Sequence, residues 1–234
     1  MMPIPTDRIL QGAFVDALSH ELRTPITSIY GGAQLLLRQG VSSEMRSSVI
    51  RDIAAEAERL YRLVEDVLAI ARVDGPDRRD ADEPVLMQHH ALAAAAWEER
   101  QSRGRRVTVS FARDLPAAIG DDAYVAQILR NLIANAIEES PSATVVEVRL
   151  SHDDHEVAAH VLDRGTGLAL GAGDDAFALF AHSPDIARRR PGTGIGLFVA
   201  RILAEVQGGR VWAVRRPGGG ADVGVALPRY RSVS

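Results

Sequence analysis

The chain has 234 residues, 46% of them apolar and 25% charged, and a net charge of -4, the balance of an ordinary globular protein. That charge argues against a dedicated binder of nucleic acid or of anionic membrane, which carries a basic excess. There is no cysteine and no lysine, so disulfides, thiolate nucleophiles, zinc-thiolate sites and the lysine-bearing Walker A phosphate loop are all excluded.

No apolar run approaches the ~20 residues that span a bilayer, and no signal-peptide pattern opens the chain, so no membrane contact is expected of this segment. From Asp7 to Arg38, Leu10, Phe14, Leu18, Leu22, Pro25, Ile29 and Leu36 fall in one helical stripe. Gln39–Ser42 reads as a turn, with Gly40 as a left-handed cap and Ser42 or Ser43 capping the next helix. From Ser43 to Asp74, Ile50, Ile53, Ala57, Leu60, Val64, Val67 and Ala71 are spaced by threes and fours, which predicts that second helix. Each helix would be about 48 Å long at about 1.5 Å per residue. Two such helices joined by a short turn form an antiparallel hairpin. A lone hairpin cannot bury apolar stripes on both members, so a dimeric four-helix bundle is expected.

Gly75–Pro84 is polar, contains two prolines and reads as a linker. Beyond it the pattern changes. Helices are predicted over Met87–Arg103, Asp121–Glu139 and Ile195–Gln207. Strands are predicted over Arg106–Phe111, Thr144–Ser151, Glu156–Asp163, Arg210–Arg215 and Ala221–Leu227. The mixture is an α+β domain, with helices packed on one sheet. The expected division is 1–74, a linker at 75–84, and 85–234.

Four short motifs carry chemistry. In Ser19-His20-Glu21-Leu22-Arg23-Thr24-Pro25, His20 stands about 160° around the helix from Leu18, so its ring points away from the apolar stripe. A neutral imidazole is a nucleophile, Glu21 can accept from its other ring N–H, and Thr24 lies one turn on, on the same face. Pro25 weakens the helix at this turn and suggests a bend. A zinc-protease motif would need a second histidine where Thr24 stands. Asn131 and Asn135 share one helix face, where paired amides suit a hydrated cation and phosphate oxygens. Asp163-Arg164-Gly165-Thr166-Gly167 comes after a predicted strand. A carboxylate there can accept from the amino group of adenine but not from the carbonyl of guanine. Gly192-Thr193-Gly194-Ile195-Gly196-Leu197 opens a helix, where free backbone N–H groups and the helix dipole favour phosphate. Taken singly, each motif also has a bland reading, as an exposed histidine, a helix cap, a tight turn or a strand-to-helix connection.

Together they form a known order. Phe14–Arg38 closely resembles the phosphoacceptor box of sensor histidine kinases. The succession N-x-x-x-N, D-x-G-x-G, Phe177 with Phe180, and G-T-G-I-G-L resembles the boxes of their ATP domain, within the wider Bergerat ATPase superfamily. The resemblance runs from about Phe14 to Pro228. It implies an antiparallel helical hairpin forming a dimeric four-helix bundle, then a Bergerat-type α/β sandwich. It implies autophosphorylation of His20 from ATP, with Glu21 assisting and Thr24 supporting phosphatase activity. Asn135 would hold Mg2+, Asn131 would sit near the phosphates, and Asp163 would bind adenine. Gly165, Gly167, Gly192, Thr193, Gly194, Gly196 and Leu197 would line the nucleotide, beneath a lid over Leu168–Pro191. The phosphoryl group would pass to an aspartate on the receiver domain of a response regulator. The implied partners are a second copy of the chain and that regulator, without nucleic acid. The implied location is cytoplasmic, whether or not the parent is a membrane-anchored sensor.

This sequence departs from the pattern in three places. Glu138 and Glu139 stand where the family usually has a basic residue and an aromatic, and Arg164 stands where it usually has asparagine. Two acids near a triphosphate are unfavourable without compensation, and Arg188, Arg189 and Arg190 in the lid are candidates to supply it. The alternative left open by these departures is a catalytically weak or non-catalytic docking and regulatory module.

Overall fold

The computed structural model describes residues 12–73, 83–101, 104–168, 173–178 and 195–231. The chain divides into two compact units, Met1–Leu68 and Ala69–Ser234.

The first unit is a helical hairpin of α1 (Gly12–Leu36) and α2 (Ser43–Val73, whose last residues fall past the division). Gly40 takes the left-handed conformation at φ 85° in the connection. The Ser42 hydroxyl accepts from the Met45 N–H at 3.2 Å, capping α2. Pro25 lies buried inside α1, and helical structure continues on both sides of it. At Gly32 the helices come so close that a Cβ would press on Ile53. The expected start at Asp7 falls outside the described residues. Of the α2 stripe read from the sequence, Ile53, Leu60 and Val67 are half-buried, whereas Ile50, Ala57, Val64 and Ala71 are exposed. Both sets repeat every seven residues, the spacing of a coiled-coil seam.

The second unit opens with β1 (Glu83–Val85) and α3 (Met87–Gln101), then β2 (Arg106–Ser110), β3 (Ala118–Gly120), α4 (Asp122–Glu139), β4 (Val145–His152) and β5 (Glu156–Leu162). A 3-10 turn (Asp174–Phe177), α5 (Gly196–Glu205), β6 (Arg210–Arg215) and β7 (Ala221–Pro228) complete it. Five strands form a sheet in the order β2-β4-β5-β7-β6, with β2 and β4 parallel and the other pairs antiparallel. The strands β1 and β3 pair antiparallel in a separate ribbon. Glu83 and Pro84, expected to end the linker, are therefore strand residues, and neither three-residue strand was foreseen.

The alternation along the strands sets the layers. Val146, Val148 and Leu150 of β4, Val157, Ala159 and Val161 of β5, and Val223, Val225 and Leu227 of β7 are buried on one face. Ile128, Leu129, Leu132 and Ile133 of α4 and Val199, Ile202 and Leu203 of α5 are buried with them. The opposite face carries polar side chains. There the Trp212 ring lies over Gly224, and both Trp212 Nε1 and His160 Nδ1 bond Asp222.

Among the described residues no helix is long and apolar enough to cross a membrane.

Candidate functional site

In the hairpin, the His20 side chain is 75% exposed, so its ring points outward as the helical phase requires. Its Nδ1 lies 3.7 Å from Glu21 Oε1, close but longer than a hydrogen bond. The other carboxylate oxygen of Glu21 is occupied, because Arg59 Nη2 of α2 donates to Oε2 at 2.9 Å. Thr24 is exposed, and its hydroxyl donates to the His20 carbonyl at 3.3 Å, back onto the preceding turn. Pro25 has no N–H, which leaves the Glu21 carbonyl without its helical donor.

In the second unit, three elements bring together the residues expected to grip a nucleotide. Helix α4 is capped by Asp121, whose carboxylate accepts from the Ala123 and Tyr124 N–H groups. It presents Asn131, buried, and Asn135, half-buried, one turn apart. Asn131 Nδ2 donates to the Gly196 carbonyl at 3.0 Å, which ties the first turn of α5 to α4. Ile195 is fully buried at the N-cap position and contributes no side-chain capping bond to the first N–H groups of α5. Leu197 is half-buried in that turn. Gly192, Thr193 and Gly194 lie outside the described residues, as do Phe180, Arg188, Arg189, Arg190 and most of the expected lid.

The third element is the turn after β5. Asp163 is 2% exposed. Its Oδ1 accepts from the Gly165 N–H at 2.7 Å and its backbone N–H donates to the Ala221 carbonyl at 3.0 Å. Burial pushes the Asp163 carboxyl above its ordinary value. Hydrogen bonds from the Gly165 and Ala221 N–H groups oppose that rise, the charge of Glu139 adds to it and that of Arg216 lowers it.

The glycines here also permit close approach within the protein itself. A Cβ on Gly165 would overlap the Glu139 carbonyl, and one on Gly167 would come within 3.0 Å of the Gly220 carbonyl. The absent side chains let the protein's own backbone approach, which fixes the turn against the end of α4 and the β6–β7 hairpin.

Three arginines that the sequence did not single out support these residues. Arg59 holds Glu21. Arg216 Nη1 donates to the Asp163 carbonyl at 2.8 Å, while its Nη2 lies 3.8 Å from Glu147. Arg105 donates to the Ile137 and Ser140 carbonyls at the C-terminus of α4, the negative end of that helix dipole where Glu138 and Glu139 add further negative charge. Each partner is remote in sequence, and no local pattern marks it.

The chain matches two family models: a His Kinase A (phospho-acceptor) domain over residues 10–76, and a histidine kinase-, DNA gyrase B-, and HSP90-like ATPase over residues 120–231. It is 34% identical over 229 residues to the sensor histidine kinase MtrB of Mycobacterium leprae, covering 95% of this chain and 40% of that protein. It is 32% identical over 206 residues to the probable sensor histidine kinase TcrY of Mycobacterium tuberculosis, covering 88% of this chain and 43% of that one. The chain thus spans about two fifths of these relatives. Full-length ShkA in complex with AMPPNP superposes with a TM-score of 0.62 at 27% identity, over 93% of this chain and 46% of that one. The histidine kinase ThkA in complex with the response regulator TrrA shares the fold, with a TM-score of 0.71 at 21% identity, over 95% of this chain and 62% of that one.

Proposed function

The chain belongs to the family of histidine kinase catalytic cores, and on that premise we propose that it binds ATP in its second unit and phosphorylates its own His20. The observation that carries this reading is an outward imidazole beside a carboxylate, in one chain with a buried aspartate and an asparagine-bearing helix packed on a glycine-opened helix.

In this reading Asp163 accepts from the adenine amino group, and the N-terminus of α5 faces phosphate. Asn131 acts near the phosphates through the Gly196 turn that it bonds. Asn135 offers a half-buried amide oxygen to magnesium. Magnesium takes much of its shell from phosphate oxygens and water, so one amide oxygen from the protein suits it. Magnesium, when bound, neutralises charge on the triphosphate. Glu138 and Glu139 leave ATP binding intact in this reading, because Arg105 and Arg216 place positive charge at the same end of α4 and at the Asp163 turn.

For the transfer itself, Nδ1 of His20 carries the ring proton towards Glu21, leaving the Nε2 lone pair free. Nε2 attacks the γ-phosphorus in line, the bond to the β–γ bridging oxygen breaks, and ADP leaves with that electron pair. The Nδ1 proton moves towards the Glu21 carboxylate as the ring gains positive charge. The protein contributes positioning and fixed charge. The phosphoryl group then passes to an aspartate of a response-regulator receiver domain, and Thr24 supports the phosphatase reaction, in which water hydrolyses that aspartyl phosphate and inorganic phosphate leaves. The working form is a homodimer in the cytoplasm, paired through the exposed heptad seam of α2.

His20→Ala should abolish acid-labile labelling from γ-labelled ATP while magnesium-dependent ATP binding survives. Label that persists in this variant would show that His20 is not the acceptor. Loss of ATP binding in the unmodified chain would remove the kinase reading altogether.

A further inference from the structure

We propose that Arg59, on the second helix, is a positioning residue for phosphoryl transfer, acting on His20 through Glu21. The inference rests on the role given to Glu21 above. Four side chains line up across the hairpin. Glu56 Oε2 lies 3.9 Å from Arg59 Nη1, Arg59 Nη2 donates to Glu21 Oε2 at 2.9 Å, and Glu21 Oε1 lies 3.7 Å from His20 Nδ1. The arginine is held by an acid on its own helix and holds an acid on the other. One carboxylate oxygen of Glu21 is taken, and the remaining oxygen is the one turned to the imidazole.

The burial gradient supports a positioning role. The side chains of Arg59 and Glu21 are 12% and 19% exposed, whereas His20 is 75% exposed. A pair this sheltered is screened less than a surface ion pair and keeps its geometry better. The guanidinium is planar and always charged, which suits a fixed anchor. The backbone around Glu21 needs one. Pro25 removes the hydrogen bond to the Glu21 carbonyl, so the turn bearing the catalytic acid lacks one helical bond. The contact to α2 replaces that support with a tether from the opposite helix. Without it Glu21 is free to rotate away from Nδ1, and the ring loses the partner that fixes which nitrogen carries the proton.

The test is a double-mutant cycle on the full chain with Mg-ATP, reading the autophosphorylation rate and the KM for ATP. Arg59→Ala should lower kcat roughly 10- to 100-fold, the scale of a misplaced catalytic group, with KM for ATP unchanged. Arg59→Lys, which keeps a charge in place, should recover most of the rate. In a Glu21→Gln background, which is itself slow, Arg59→Ala should cause no further loss. Additive losses, a failure of Arg59→Lys to rescue, or a normal rate in Arg59→Ala each overturn the proposal. A normal rate in Glu21→Gln overturns the role of Glu21 and the positioning role together, while a slow Glu21→Gln with additive Arg59→Ala overturns the positioning role alone.

Discussion

Leu129, Leu132, Val148, Val157 and Val225 of the second unit are fully buried between three helices and a sheet, whereas Ile50 and Val64 of the hairpin are 52% and 42% exposed. Both units are built from sequence with clear apolar periodicity, so the difference lies in layers. The second unit supplies its own facing layer, and each strand's inward side chains meet a helix of the same chain. The hairpin has only two helices, and residues 50, 57, 64 and 71 form a seam with no counterpart among the described residues. Stability is internal to one unit and, in the proposed homodimer, borrowed from a second copy in the other. In that dimer the shared core would couple pairing to the placement of His20, while the proposed nucleotide site stands on a core that its own unit supplies.

The largest expected effect attacks the borrowed core. Ile50→Asp combined with Val64→Asp would bury two carboxylates in the seam, each costing several kcal/mol without a partner. Analytical ultracentrifugation should find monomer in place of dimer, with ATP affinity retained. A dimer that survives both substitutions places the interface elsewhere and breaks the comparison.

The next effect attacks the self-contained core. Gly220 has φ +87°, and a Cβ there would overlap the carbonyl of Asp163. Gly220→Ala should destabilise the second unit by about 2–4 kcal/mol, from left-handed strain plus overlap. Calorimetry should show its transition lowered and ATP affinity weakened with it, because the turn that carries Asp163 is displaced. An unchanged melting temperature would mean that the β6–β7 hairpin moves aside freely and does not set the turn.

What the sequence disclosed divides along the same line. Periodicities of 3.6 and 2 located the long elements within a few residues wherever their ends are described, because they record which face is buried whatever buries it. The strands β1 and β3 escaped, since a three-residue strand carries no periodicity and Glu83 pairs with Gly120 across the intervening helix and strand. The outward ring of His20, the Glu21 beside it, the place of Asn131 on its helix and the Asp163 turn after a strand were legible because local spacing sets each of them. Arg59 and Arg216 were not, since their partners lie 38 and 53 residues away. Gly165 was legible as a point of close approach, but what approaches it is the Glu139 carbonyl, which only the packed end of α4 reveals.

The smallest expected effect is the most discriminating about what the second unit's core is for. Burial raises the Asp163 carboxyl, and the nearby charge of Glu139 adds to that rise. A raised acid binds its proton more tightly in the folded state than in the unfolded chain. The folded state therefore holds more protons between the ordinary aspartate value and the raised one, and stability falls as pH climbs through that window. Above the window the buried charge weighs against folding. Asp163→Asn keeps an oxygen to accept the Gly165 N–H and removes the charge, so it should raise the melting temperature of the second unit slightly at pH 7 and flatten its dependence on mild acid. The same substitution should weaken ATP roughly 10- to 100-fold, because an amide turned to adenine leaves a buried group unpaired. A stabilised variant that has lost its ligand would mark Asp163 as a residue retained for binding against the interest of the fold. A variant that melts lower at every pH would instead make Asp163 part of the scaffold, with its bonds to Gly165, Ala221 and Arg216 outweighing the cost of its charge.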